Sequence, residues 1–152
     1  MRRLLVIVTA AALLWGLVGG TMSKADAQYI CSPMSGVLIG PGGTPVAGAT
    51  VRREWIYNSK SESDSVTTDA AGRFGFDAVN APRRGWLSGL STPVVVQRYY
   101  ASTGGEETEI LYINSRSLEP LHETDGKPFA VTCDLSQSPG NGALGWGVCA
   151  LN

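Results

Sequence analysis

Between Ser35 and Phe76 short apolar runs alternate with turns built from Gly, Pro and Asp, a pattern that few folds accommodate. The stretch opens S-G-V-L-I-G-P-G-G-T-P-V-A-G-A-T-V, from Ser35 to Val51, and closes S-V-T-T-D-A-A-G-R-F-G-F, from Ser65 to Phe76. Glycine supplies left-handed backbone, while each proline fixes φ and removes a ladder donor, so the chain must turn between Gly40 and Pro45. Period-two runs bounded by such turns read as antiparallel strands.

Taken in order, a first strand is expected over 29–39, with Val37 and Ile39 on one face and Leu38 on the other, and Val37 burying with Val51, Phe74, Phe76 and Val131 between the sheets. A second covers 49–57, with Ala49, Val51, Arg53, Trp55 and Tyr57 sharing a face. Arg53 interrupts that apolar face, so the core should end near Val51 and Trp55 should cover a rim. The polar run 58–64 reads as a solvated loop. A hairpin of 65–68 with 73–76 follows, turning through Asp69 to Gly72, with Phe74 and Phe76 inward. After a long irregular crossing (78–91), strands are expected over 93–101, 108–113 and 128–135. The last of these carries Phe129, Val131, Cys133 and Leu135 on its inner face. A second long loop, 114–127, holds the only histidine, His122, and 144–151 returns as a short final strand. Tyr99 and Tyr100 must face opposite ways, so one belongs to the core. Without a useful helix-period segment beyond the first residues, these strands make an all-β sandwich.

The first residues stand apart. Arg2 and Arg3 precede an apolar run from Leu4 to Val18, and Ala25-Asp26-Ala27 supplies a small-x-small cleavage pattern before Gln28. This order marks residues 1–27 as a secretory signal peptide and 28–152 as the mature domain. The apolar run falls short of the ~20 residues a spanning helix needs, so no stable membrane span is expected after cleavage. Losing Arg2, Arg3, Lys24 and Asp26 takes the formal net charge from −1 to −3. No basic patch points to nucleic acid or anionic lipid.

The stretch from Ser35 to Phe76 resembles the carboxypeptidase regulatory-like modules of the transthyretin-like superfold. Gly36, Val37, Gly43, Pro45, Val46, Ala47, Gly48, Ala49 and Val51 carry the first half of the motif; Thr67, Thr68, Asp69, Gly72, Arg73, Phe74 and Phe76 carry the second. The segments W-L-S-G-L (86–90) and G-K-P-F-A-V-T-C-D-L (126–135) are similar to a group of small exported bacterial proteins of uncharacterised function that carry this module. The resemblance implies a prealbumin-like antiparallel β-sandwich of about seven strands. It implies no single function, because the superfold serves as spacer, binding module and occasionally enzyme.

No constellation specifies a reaction. The related hydroxyisourate hydrolases use several histidines and a C-terminal Tyr-Arg-Gly-Ser segment, whereas this chain has one histidine and ends Cys149-Ala150-Leu151-Asn152. Iron dioxygenases with similar sandwiches need paired Tyr and paired His ligands. His122 with Glu119, Glu123 and Asp125 could form a weak metal site, but a solvated loop is the preferred reading, and neither a catalytic residue nor a cofactor is assigned. Arg83, Arg84 and Trp86 place two cations beside an aromatic on a long loop, a candidate partner-binding anchor because Trp and Arg dominate interface energetics. The competing reading tucks Trp86 and Leu87 under the sandwich end.

Export makes a disulfide expected, and three cysteines allow three single pairings. Cys133–Cys149 is preferred, because Asn141-Gly142 lies midway and could reverse the chain; Cys31–Cys133 is the rival. The functional expectation is a periplasmic or secreted, non-enzymatic module that binds another protein or an envelope component. The alternatives are an inhibitor or immunity-type protein neutralising a partner enzyme, and a small hydrolase or metal-dependent enzyme using His122. Intact-mass analysis of the exported protein should show Gln28, free or cyclised, as the first residue; a species retaining Met1 in that fraction would refute the leader.

Overall fold

The computed structural model describes residues 27–83 and 90–152. Two sheets face one another. The larger has six strands in the order β10 (Gly140–Asn141), β11 (Trp146–Gly147), β8 (Thr108–Ser115), β7 (Val95–Ser102), β3 (Thr50–Tyr57) and β4 (Lys60–Thr67). The smaller runs β12 (Cys149–Leu151), β9 (Ala130–Asp134), β2 (Met34–Ile39) and β5 (Arg73–Phe76). A short pair, β1 (Tyr29–Cys31) with β6 (Val79–Asn80), closes one end. All pairings are antiparallel except β2 with β9. The protein is an all-β sandwich, and none of its described helices is long and apolar enough to cross a membrane.

The two halves of the opening motif meet in space. Gly36 on β2 lies directly opposite Phe74 on β5, and a Cβ at Gly36 would fall 2.3 Å from Phe74 Cζ. The bare glycine is the seat of the ring. Thr68 joins the other parts: its Oγ1 accepts from Ala49 N at 2.9 Å and donates to Val46 O at 2.7 Å. Asp69 Oδ1 accepts from the backbone N–H of Ala71 and of Arg73, both at 2.9 Å, as the turn chemistry predicts. Gly72 takes φ 72° where a Cβ would stand 2.4 Å from Leu38 O.

Several expectations need correction. The first strand breaks at Ser32-Pro33, and its remainder faces the other way from the expected register. Met34, Gly36 and Leu38 point inward, with Leu38 fully buried, while Val37 and Ile39 are half-buried on the outer face. A one-residue slip exchanges the faces of a strand, and the Gly36–Phe74 contact sets this one. The expected loop 58–64 is instead a tight turn followed by β4. Asn58 and Ser59 both adopt left-handed backbone (φ 50° and 61°), the geometry of a two-residue hairpin turn. β4 carries no hydrophobic periodicity because it is an edge strand, and its charges suit an unpaired edge. The strands around Asp69–Gly72 do not pair with each other: β4 lies in the larger sheet and β5 in the smaller, so this turn carries the chain between layers. The expected final strand is likewise split between sheets, as β11 and β12.

Phe74, Phe76, Tyr99 and Phe129 form a chain of edge-to-face rings, with centroids 6.2, 5.9 and 6.5 Å apart. Val51, Leu38, Leu111 and Val131 fill the space around them. Tyr99 is the core member of the tyrosine pair, and Tyr100 lies on the outer face. Val37 does not join this core. Beyond Arg53 a second, smaller core gathers Ile30, Cys31, Trp55, Tyr57, Val95 and Leu118, so apolar packing resumes where a rim was expected. Phe74→Ala should cost about 3–5 kcal/mol in urea unfolding, because it empties the seat over Gly36. A loss below about 1 kcal/mol would show that the ring is not a core element.

Candidate functional site

A layer of polar side chains separates the two cores. Arg53 comes from the inner face of β3 and is 1% exposed. Its Nε and Nη2 donate to Asp64 Oδ1 and Oδ2 at 3.0 and 2.5 Å, across the β3–β4 pairing in which the two residues are direct partners. The guanidinium lies 4.6 Å from the Phe76 ring centroid and 5.3 Å from that of Trp55. Burial works to lower its pKa, but the Asp64 hydrogen bond and the surrounding groups outweigh it and hold the value above the ordinary one. Arg53 is a paired, permanently charged group inside the sandwich.

Glu123 is the second buried charge carrier, reached from the loop after β8. Its Oε1 accepts from Ser32 N at 2.9 Å and from Gln97 Nε2 at 2.8 Å. Gln97 Nε2 also lies 3.2 Å from Ile30 O, and its Oε1 accepts from the Tyr99 hydroxyl at 2.8 Å. Ser32 Oγ accepts from Leu121 N at 2.8 Å, so Ser32 and the 121–123 segment clasp each other reciprocally. His122 Nδ1 lies 2.7 Å from Ser115 Oγ. Its Nε2 approaches Glu123 Oε1 to 3.3 Å, close enough for an ion pair but angled away from a hydrogen bond. Leu121 and Asp125, on either side of this segment, hold left-handed backbone (φ 59° and 53°), a strained state for non-glycine residues.

His122 is therefore not on a solvated loop. Its side chain is 1% exposed and that of Glu123 fully buried, whereas Glu119 and Asp125 are exposed. The four residues do not converge, and among the described residues no group of three or more His, Cys, Asp or Glu is placed to hold a metal ion. Arg83 is exposed; Arg84 and Trp86 lie outside the described residues. Chemically the layer is a clasp: buried hydrogen bonds fasten β1, β7 and the 116–129 loop. Among the described residues Arg53 Nη1 and Glu123 Oε2 have no hydrogen-bond partner, and Asp64 reaches solvent with its side chain 40% exposed. The sequence pointed to Glu123 only as a possible metal-site neighbour of His122, not as the hydrogen-bond acceptor of Ser32 and Gln97, and Gln97 was not singled out. Gln97 was visible as the polar member of the inward series Val95, Gln97, Tyr99, while Glu123 sits in a loop without periodicity.

The cysteines fall as preferred. Cys133 pairs with Cys149, directly opposite it on β12. The segment between them makes no simple hairpin. It leaves the smaller sheet, adds β10 and β11 to the larger one, reverses through Gly142 and Gly145 (N···O 2.7 Å), and returns. Closing a loop of this separation (16 residues) contributes about 3 kcal/mol in the chain-entropy picture. Cys31 is the free cysteine, and burial pushes its thiol up to about 12 against the pull of Arg53, so it stays a protonated core residue.

The outer face of the larger sheet has a different character. Asn141, Trp146, Tyr112, Arg98, Glu54 and Ser63 are successive cross-strand partners and form one row over all six strands. Arg98 stacks 5.4 Å from the Tyr112 ring centroid, and in the adjoining row Arg52 stacks 4.3 Å from that of Tyr100. Trp146, 39% exposed, has glycines on both sides. Gly145 and Gly147 adopt φ 148° and 150°, and a Cβ on either would stand 2.1 or 2.2 Å from a carbonyl oxygen of β8. The tryptophan is thus held on a strand packed tightly against its neighbour.

The model of a protein family described as a domain of unknown function (DUF6795) matches residues 34–138, more than half of the chain. The chain belongs to that family. The match runs from the start of β2 to just past β9, so Trp146 and Cys149 lie beyond it. No curated protein sequence matches the chain. Among solved structures, a catechol 1,2-dioxygenase from Acinetobacter sp. ADP1, inhibited by bound mercury, is similar at 12% identity over 80% of this chain and 47% of that one. The chain thus spans about half that protein's length, and at a TM-score of 0.36 the likeness carries no argument.

The buried position of His122 reverses what a solvated histidine would do on substitution. His122→Ala opens a void beside Glu123 and removes the partner of Ser115, so it should lower stability by about 1–3 kcal/mol. A reduced urea midpoint with an unchanged slope is the expected signature, and an unchanged midpoint would put His122 back at the surface.

Proposed function

We propose that this DUF6795 protein is an exported, non-enzymatic β-sandwich module that binds another protein or an envelope component through the outer face of its six-stranded sheet. The observation that carries this reading is a contrast of placement. The groups capable of acid–base chemistry, His122 and Glu123, are sealed between the layers, whereas Trp146, Tyr112 and Arg98 line up in one cross-strand row on the outer face. Export is supported by the cross-strand disulfide, which persists in oxidising compartments. The finer assignment to carboxypeptidase regulatory-like modules belongs to the same proposal. It is supported by the way the two motif halves meet at Gly36–Phe74 and through Thr68.

A photo-cross-linking residue installed at Asn114, exposed on the outer face of the larger sheet, should trap a discrete partner in the producing cells. The same residue at Ala150, exposed at the edge of the smaller sheet, should not. Equal adducts from both positions, or none from Asn114, would refute the assignment of this face.

A further inference from the structure

Resting on the binding role just proposed, we infer the chemistry of the partner: an extended protein segment that offers a carboxylate to Arg98 and an apolar side chain to Trp146. The argument begins with charge matching on the outer face. Arg52 is satisfied there, with Nε and Nη2 each 2.8 Å from an oxygen of Glu107 and Nη1 3.3 Å from Glu54. Arg98 is held more loosely. Its Nη1 stands 4.0 Å from Glu109, the outer limit of an ion pair, and its Nε is turned inward away from solvent. Its side chain is 43% exposed, leaving the Nη edge of the guanidinium open to a partner. The Tyr100 side chain and, more weakly, Glu109 favour the charged guanidinium, but neither grips it in the two-toothed way that Glu107 grips Arg52. A half-exposed guanidinium already stacked on Tyr112 has lost much of its rotamer freedom, so a planar, two-toothed carboxylate can join it at little further entropic cost.

Trp146 fixes the second half of the motif. It is the only large aromatic among the exposed hydrophobic residues described, and its two flanking glycines bind it to β8 rather than leaving it on a loop. Arg98 and Trp146 are separated by one strand in a single row, two strand spacings or roughly 10 Å. An extended segment of polyproline type brings side chains three residues apart to the same side at about 9 Å. The partner's acidic and apolar residues are therefore three positions apart. A glycan would find the Tyr100 and Tyr112 ring faces already occupied by Arg52 and Arg98, which disfavours sugar stacking on this platform.

The test is selection of random linear peptides on immobilised protein purified from the exported fraction. Wild type should enrich peptides with Asp or Glu three positions from an aromatic or large aliphatic residue. Arg98→Gln should weaken those peptides about tenfold, the scale of one charge-assisted hydrogen bond, and Trp146→Ala should weaken them similarly. Glu109→Gln removes the competing acid and should leave binding equal or tighter, which a loss of folding could not produce. Arg98→Glu should redirect the selection toward Lys and Arg. Absent enrichment, enrichment without acidic residues, an Arg98→Glu selection identical to wild type, or Arg98-dependent retention on purified cell-wall glycan would each overturn the inference. Cross-links from Asn114 that persist beside such a result place the failure in the partner chemistry; their loss places it in the binding role itself.

Discussion

The pairing of Arg53 with Asp64 is the constraint around which the rest of the sandwich is arranged. A guanidinium on the inner face of a sheet is tolerable only with its charge matched, since an unpaired buried ion costs several kcal/mol. Arg53 meets Asp64 through Nε and Nη2, while its Nη1 has no hydrogen-bond partner among the described residues. Asp64 meets that need from the neighbouring strand, which ties the register of the β3–β4 hairpin to the charge. Along the edge strand only Val66, opposite Val51, packs against the apolar core, and Asp64 serves Arg53, so the rest of the strand can be polar. Replacing such a pair by well-packed apolar residues can be neutral or stabilising, so its value lies in register and layering rather than in net energy.

One consequence is a divided interior. The aromatic chain from Phe74 to Phe129 fills the space between the two main sheets, while Trp55, Tyr57 and Cys31 fill a smaller space under β1 and β6. The Glu123 clasp closes the boundary by joining the start of the domain to the loop after β8. At the opposite edge the Cys133–Cys149 bridge holds a segment that belongs to both sheets. The sandwich is fastened by polar chemistry at the divide and by a covalent bond at the edge.

This arrangement bears on function by deciding which groups are reachable. The lone histidine and its acidic neighbour serve the interior. The aromatic and cationic residues at alternate positions of β3, β7, β8 and β11 face outward because their neighbours face the core. A face with a tryptophan held between two tightly packed glycines and a loosely paired, half-exposed arginine has the composition of an interface centre, where Trp, Tyr and Arg are enriched. The same alternation that builds the core therefore builds the platform.

The sequence by itself determined the strand content, the turns at Gly40–Pro45 and Asp69–Gly72, the inward Phe74 and Phe76, the division of labour between Tyr99 and Tyr100, and the preferred disulfide. All of these follow from period-two patterning or from backbone chemistry within a few residues. Only the tertiary structure decided the facing of β2, the existence of β4, the exchange of layers at Asp69–Gly72 and at Val148, and the burial of His122. The physical reason is common to all four: each depends on a partner in another element of the fold. Gly36 needs the Phe74 ring, β4 needs Arg53, β11 needs the carbonyls of β8, and His122 follows Glu123 into the clasp with Ser32 and Gln97. Local sequence shows that a residue can face inward or turn; which distant group it then meets is settled only when the layers close.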